Sequence, residues 1–234
     1  HYNNLTETPY NGPWYNKQDK PRAAYASMVT HLDNGVSKII DLLERKGMSE
    51  NTIVIFTSDN GVHEEGGHNP DFFDSNGAFR GVKRDLYEGG IHAPLIIKWP
   101  KKIKSEMVSF HESAFWDFMP TFCDILNTEV PSGIDGISFL PELLGEKNQK
   151  KHDNLYFEFH ERGGKRAIIK DRWKLIQYNV NIPDKSYLEL YNLNFDPSEN
   201  SNVVNLYSDK VDSLLTLMNN IHKKNNNWIF EYEK

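Results

Sequence analysis

Cysteine is nearly absent: Cys123 stands alone, so no disulfide can close within the chain and cysteine usage says nothing of redox compartment. No apolar run approaches the length of a membrane-spanning helix, and no signal-peptide pattern precedes His1, although a start in a polar, Asn-rich segment says little about export. Positive charge is in deficit. With 27 Lys and Arg against 33 Asp and Glu the formal charge is −6, and the lack of any basic run or basic helix face argues against a nucleic-acid partner. Internal repeats and low-complexity segments are missing too. What is left is the composition of an ordinary folded protein, 38% hydrophobic and 26% charged over 234 residues, long enough for one large domain or one domain with a small companion.

The most informative stretch runs from Asn51 to Pro100. The β-branched runs Thr52 to Thr57 and Pro94 to Lys98, bounded by turn residues, predict buried strands of an α/β sheet. The helical spacing of Tyr25, Met28, Val29, Leu32, Val36, Ile39, Ile40 and Leu43 predicts a helix from Pro21 to Lys46 with its apolar stripe in the core, leading into the first strand. Ser58-Asp59-Asn60-Gly61 falls just past the carboxyl end of that strand, where open sheets bind their ligands. An Asp carboxylate beside an Asn carbonyl offers hard oxygen donors suited to Ca²⁺ or Mg²⁺; the same residues also make a favourable plain turn. The loop 62–82 is too long for a mere connector. His63 and His68 within it have no zinc-motif spacing, which leaves hydrogen-bonding or substrate-contacting roles. Arg80 could pair with Asp59, Glu88 or an anionic substrate, or form a structural salt bridge.

The ordered set TIVIFTSDNG, Phe79-Arg80-Gly81, Lys83, Tyr87-Glu88-Gly89-Gly90 with Pro94, and Trp99-Pro100 resembles the C-terminal half of the type I sulfatases, the arylsulfatase family within the alkaline phosphatase superfamily. The resemblance covers nearly the whole chain. It implies an α/β fold with a mixed or parallel sheet flanked by helices, part of an alkaline-phosphatase-like domain over residues 1–150, and a small subdomain over 151–234. It implies sulfate-ester hydrolysis, with Asp59 and Asn60 as ligands of one Ca²⁺ (Mg²⁺ possible), Lys83 on the sulfate, and His1 where the family has a proton donor to the departing alcohol; His1 could equally be only the first residue of the chain. The remaining metal ligands and a formylglycine nucleophile are expected in an N-terminal half of the same enzyme, and Cys123, outside any Cys-x-Pro-x-Arg setting, reads as an inert buried thiol. Location in a periplasm or outside the cell is likewise expected from the family only.

Beyond residue 100, Phe115 to Leu126 predicts a helix, and Gly133 to Gly145 a loop with a short helix. From Leu155 the runs LYFEFH, RAIIK, WKLIQY and YLELYNL predict an antiparallel four-stranded meander, followed by a helix from Asp209 to Lys223. The charged hairpin His160 to Arg166 either reaches the substrate through His160 or Arg166 or is a solvated turn. The loop histidines, this hairpin and the aromatics near Trp14 make a sulfated carbohydrate the expected substrate. The alternatives are a phosphatase or phosphodiesterase of the same superfamily, which Asn60 in place of a His disfavours, and a non-catalytic glycan-binding remnant.

Overall fold

The computed structural model describes residues 7–225 and 229–230. Its helices are α1 (Pro21–Arg45), α2 (Pro70–Phe73), α3 (Glu88–Ile91), α4 (Phe118–Leu126), α5 (Leu140–Leu143) and α6 (Ser208–Ile221). The strands are β1 (Val54–Thr57), β2 (Leu95–Lys98), β3 (Leu155–Phe159), β4 (Lys165–Lys170), β5 (Trp173–Tyr178) and β6 (Tyr187–Asn192). The chain divides into two compact units, one made of His1–Leu42, Thr57–Leu95 and Tyr156–Lys234, the other of Leu43–Phe56 and Ile96–Leu155. Among the described residues no helix is long and apolar enough to cross a membrane.

The first unit is built on a four-stranded sheet in the order β3-β4-β5-β6, with β4–β5 and β5–β6 antiparallel. The register sets Ile168 opposite Leu175 and Leu175 opposite Leu190, so one face of the sheet carries a continuous apolar row. Val211, Leu214 and Met218, spaced at three and four residues on α6, close over that row to form the core. The sheet and helix therefore follow the expected pattern, with α6 running from Ser208 to Ile221.

In the second unit the fully buried Asp117 is the organising residue. Its carboxylate accepts the backbone N–H groups of Ala114 (2.7 Å) and Ile137 (2.8 Å) and lies 2.9 Å from His152 Nε2, so three separated segments meet on one side chain. Thr121 Oγ1 donates to the Asp117 carbonyl at 2.7 Å and accepts the Phe139 N–H at 3.0 Å, fixing α4 against the segment that enters α5. Cys123 is a buried free thiol on α4.

Two expectations are corrected. The apolar stripe of α1 is not in a core: Met28, Val29, Leu32 and Ile39 are exposed, because no other described element covers that face. Nor are the first strands buried, since β1 is half-buried, β2 is largely exposed, and among the described residues the two pair only with each other. Glu88-Gly89-Gly90 begins the short helix α3, which its two glycines allow to pack against neighbouring backbone.

Candidate active site

The turn after β1 is fastened to α3. The Gly61 N–H donates to the Gly90 carbonyl at 2.9 Å, and a Cβ on Gly61 would lie 1.8 Å from the Gly89 carbonyl oxygen, so only glycine fits there. On this support Asp59 is exposed and Asn60 half-buried. The Asn60 amide nitrogen donates to the Gly61 carbonyl at 2.8 Å, which leaves Oδ1 as the end available to a further partner. The pair thus presents a carboxylate and an amide oxygen, a donor set that fits a hard divalent cation in part. Among the described residues no group of three or more His, Cys, Asp or Glu could hold a metal, so a cation held by this pair would need further ligands.

The long loop returns to the same place. Lys83 N–H donates to the Val62 carbonyl at 2.6 Å, closing the loop at its base and setting the lysine backbone beside the residue that follows Asp59-Asn60-Gly61. The Lys83 ammonium lies 3.6 Å from Glu65 Oε2, while Glu65 Oε1 pairs with Arg84 at 2.6 Å. Tyr15 O–H also donates to Glu65 at 2.6 Å, and this hydrogen bond, followed by that of Arg84, holds the Glu65 carboxyl down at about 2. Glu65 was missed in the sequence: an acid in a Gly-rich loop carries no spacing that names its partner.

The other expected contacts scatter. His1 lies outside the described residues. His68 is buried with both ring nitrogens lacking a hydrogen-bond partner, stacked on Tyr25 at 3.7 Å between ring centres and 5.5 Å from His63. Burial, and then the neighbouring His63, push its imidazole down to about 4. Arg80 pairs with neither Asp59 nor Glu88; its guanidinium donates to the Glu199 carbonyl at 2.9 Å and to Tyr191 Oη at 3.3 Å, and lies over the Tyr87 ring. Arg166 is buried on β4 and bonded to Gln177 (2.7 Å) and Asn219 (2.6 Å). His160 lies 2.9 Å from Glu158 and stacks on Phe230.

A cavity of about 500 Å³ lies instead between the later part of the loop, the hairpin tip and the segment after β6. Asp71, Asp74, Asn76, Arg80, Arg162 and Asn200 are among its lining residues. The hairpin thus contributes Arg162, in the left-handed region at φ 55°, rather than His160 or Arg166. Gly81 and Val82 complete the wall just before Lys83, so the cavity and the lysine share one stretch of chain.

Comparison with known proteins gives the family of the chain. The family model "Sulfatase" matches residues 2–128, and the model for the C-terminal part of N-sulphoglucosamine sulphohydrolase matches residues 77–227. The chain belongs to the sulfatase family. Members of this sulfatase family are sulfuric ester hydrolases, and the similarity extends along most of the chain. It is 30% identical to an N-acetylglucosamine-6-O-sulfatase of Bacteroides thetaiotaomicron over 86% of this chain and 35% of that protein. It is 33% identical to mouse steryl-sulfatase over 57% of this chain and 22% of that protein. The solved structure of BT4656 in complex with its substrate D-glucosamine-2-N,6-O-disulfate matches at 28% identity and a TM-score of 0.69, over 86% of this chain and 40% of that one. The chain therefore spans only about a fifth to a third of the length of these curated sulfatases. Its mixed α/β architecture is that of the alkaline-phosphatase-like fold found in the solved sulfatases.

Proposed function

We propose that this chain is the C-terminal part of a sulfatase acting on sulfated carbohydrate. The observation that carries the reading is the 2.6 Å hydrogen bond from Lys83 N–H to the Val62 carbonyl, which joins the lysine backbone to the strand-end turn of Asp59 and Asn60. Asp59 and Asn60 would hold one Ca²⁺, or Mg²⁺, with ligands from an N-terminal half of the same enzyme completing the shell. A cation held by Asp59 and Asn60 would supply Lewis-acid stabilisation of the charge on the sulfate oxygens. Lys83 holds the sulfate by its ammonium as negative charge builds toward the transition state, and Glu65 keeps that flexible side chain within reach of the site. His1 is the proposed proton donor to the departing alkoxide. The nucleophile, a formylglycine, belongs to the N-terminal half, so these residues alone are expected not to turn over substrate.

A carbohydrate leaving group is supported by the polar cavity beside Lys83. Its Asp, Asn and Arg side chains are hydrogen-bonding partners for sugar hydroxyls, whereas a steroid or simple aryl group would want apolar walls. The N-acetylglucosamine-6-O-sulfatase among the relatives points the same way. The exposed apolar face of α1 and the exposed β2 are the surfaces proposed to receive the N-terminal half. Export to a periplasm or the cell exterior goes with this reading.

The test is hydrolysis by the complete enzyme containing this chain, on a sulfated sugar, an aryl sulfate and the matching phosphate ester. The sulfated sugar should be the best substrate, and Asp59→Ala or Lys83→Ala should each lower kcat/KM by about 100-fold or more. Preference for the aryl sulfate overturns the carbohydrate assignment; preference for the phosphate ester replaces the sulfatase reading with a phosphatase or phosphodiesterase. Glycan binding with no turnover of any ester would leave a non-catalytic module.

A further inference from the structure

Lys174 is fully buried on β5, its ammonium 3.0 Å from Glu88 Oε1 and 2.9 Å from Glu199 Oε1. The contact with Glu199 is an ion pair without an aligned hydrogen bond. The other oxygen of Glu199 accepts the Glu88 N–H at 2.6 Å, and the other oxygen of Glu88 lies 3.2 Å from His92 Nδ1. Two carboxylates thus share one ammonium that is itself shielded from water, with Glu199 fully buried and Glu88 nearly so. Burial alone would raise both acids; His92 and Lys174 nevertheless hold Glu88 down at about 2, whereas Glu199 stays raised.

Such a cluster is a poor device for stability alone. Desolvating the charges costs about as much as their attraction returns, and apolar side chains of the same volume often serve as well or better. The sheet already has an apolar core at Ile168, Leu175 and Leu190. What apolar residues could not supply is a directed grip on the Glu88 N–H and carboxylate, at the first residue of α3.

From Glu88 the path to the candidate active site is backbone against backbone. Gly89 N–H donates to the Arg80 carbonyl at 2.7 Å, and Arg80 is itself tied to the Glu199 carbonyl at 2.9 Å. Gly90 accepts the Gly61 N–H at 2.9 Å. A Cβ at Gly89 would meet the Gly81 carbonyl at 2.3 Å and one at Gly90 the Asp85 carbonyl at 2.3 Å, so α3 has almost no room to shift unless Gly61 shifts with it.

We infer that Lys174 and Glu199 are positioning residues: by clamping Glu88 they fix α3, and through Gly90 and Gly61 they set the angle at which Asp59 and Asn60 are presented. Their role in catalysis rests on the sulfatase reading above; the clamp itself does not. A residue from the small C-terminal sheet would then govern cation affinity without touching cation or substrate.

The experiment is amide hydrogen exchange on the full chain, read at Gly61 and Gly89 and, as internal reference, at Ile168 and Leu175 in the β4–β5 ladder. Lys174→Met/Glu199→Leu, which removes the ammonium together with one of its acids, should lose about 10-fold of the protection at Gly61 and Gly89 while the reference amides stay within about 3-fold. Glu199→Gln, which keeps an acceptor for the Glu88 N–H, should restore most of it. Equal loss at all four amides, or unchanged protection at Gly61, overturns the inference. Should Lys174→Met/Glu199→Leu not fold, Glu199→Gln and Glu199→Leu compared on the same amides decide the point. The readout needs neither ester nor metal, so failure of the sulfatase reading and failure of the clamp are separate results. In the complete enzyme the same variants should weaken Ca²⁺ affinity by about 10-fold, by titration in the absence of substrate.

Discussion

On α6, Val211, Leu214 and Met218 are 7%, 2% and 0% exposed against the sheet; on α1, Met28, Leu32 and Ile39 are 62%, 55% and 59% exposed. Both helices repeat apolar residues at the same spacing. The difference lies in what the chain brings to each: α6 returns to strands that precede it by a few tens of residues, while the stripe of α1 has no sheet among the described residues to cover. Amphipathic spacing therefore reports which face wants a partner, and only the rest of the fold reports whether one is present. For this protein the contrast separates a sheet and helix that complete their own core from a helix whose apolar stripe stays open among the described residues.

The sharpest way to break that contrast is to truncate both stripes. Met218→Ala or Leu190→Ala should cost about 2–5 kcal/mol in urea denaturation, and Leu32→Ala or Ile39→Ala no more than about 0.5 kcal/mol. Equal costs would mean that α1 is covered in solution. Gly61→Ala is expected next, at about 1–3 kcal/mol, because its methyl must displace the backbone of α3; thermal denaturation would show it, with a loss of cation affinity alongside.

A pH titration probes the buried end of the loop. The folded-state pKa of His68 is depressed from 6.5 to about 4, so the folded state resists its protonation. Stability from this group is complete above about pH 6.5 and falls as pH drops toward 4, and His68→Phe should flatten that part of the curve. The smallest effects belong to exposed charges and to α1 itself. Lys101→Ala, which removes the exposed contact with Glu50 at 2.7 Å, should change stability by less than about 0.5 kcal/mol. Leu32→Asp should be as mild in the chain alone yet block association with a separately supplied N-terminal half, measured by co-purification; unchanged association would remove α1 from the interface.

Much of this was legible beforehand. The four strands and α6 follow from alternation and helical spacing because their partners are close in sequence and their core forms among themselves. The turn at Asp59-Asn60-Gly61 was legible as a motif past the end of β1, whereas the closing of the loop by Lys83 on Val62 was not. The hairpin was less readable: β4 is buried over most of its length, so alternation assigns Arg166 no outward face, and its charge is met by Gln177 and Asn219 inside the subdomain. Arg162, at the tip, was the residue left to line the cavity. Glu65, beside Lys83 and Arg84, depends on how a Gly-rich loop folds back, which no periodicity encodes.

The amino-acid order by itself determined the longer helices and the strands, the family, and the hard oxygen pair that closes β1, since these rest on local spacing and on side-chain chemistry. Tertiary structure alone decided that Lys174 reaches Glu88 and Glu199, residues 86 positions before it and 25 after it in the chain, and that the stripe of α1 is uncovered among the described residues. Contacts between distant segments arise when chain entropy is overcome by packing of the whole, and no single segment carries that information.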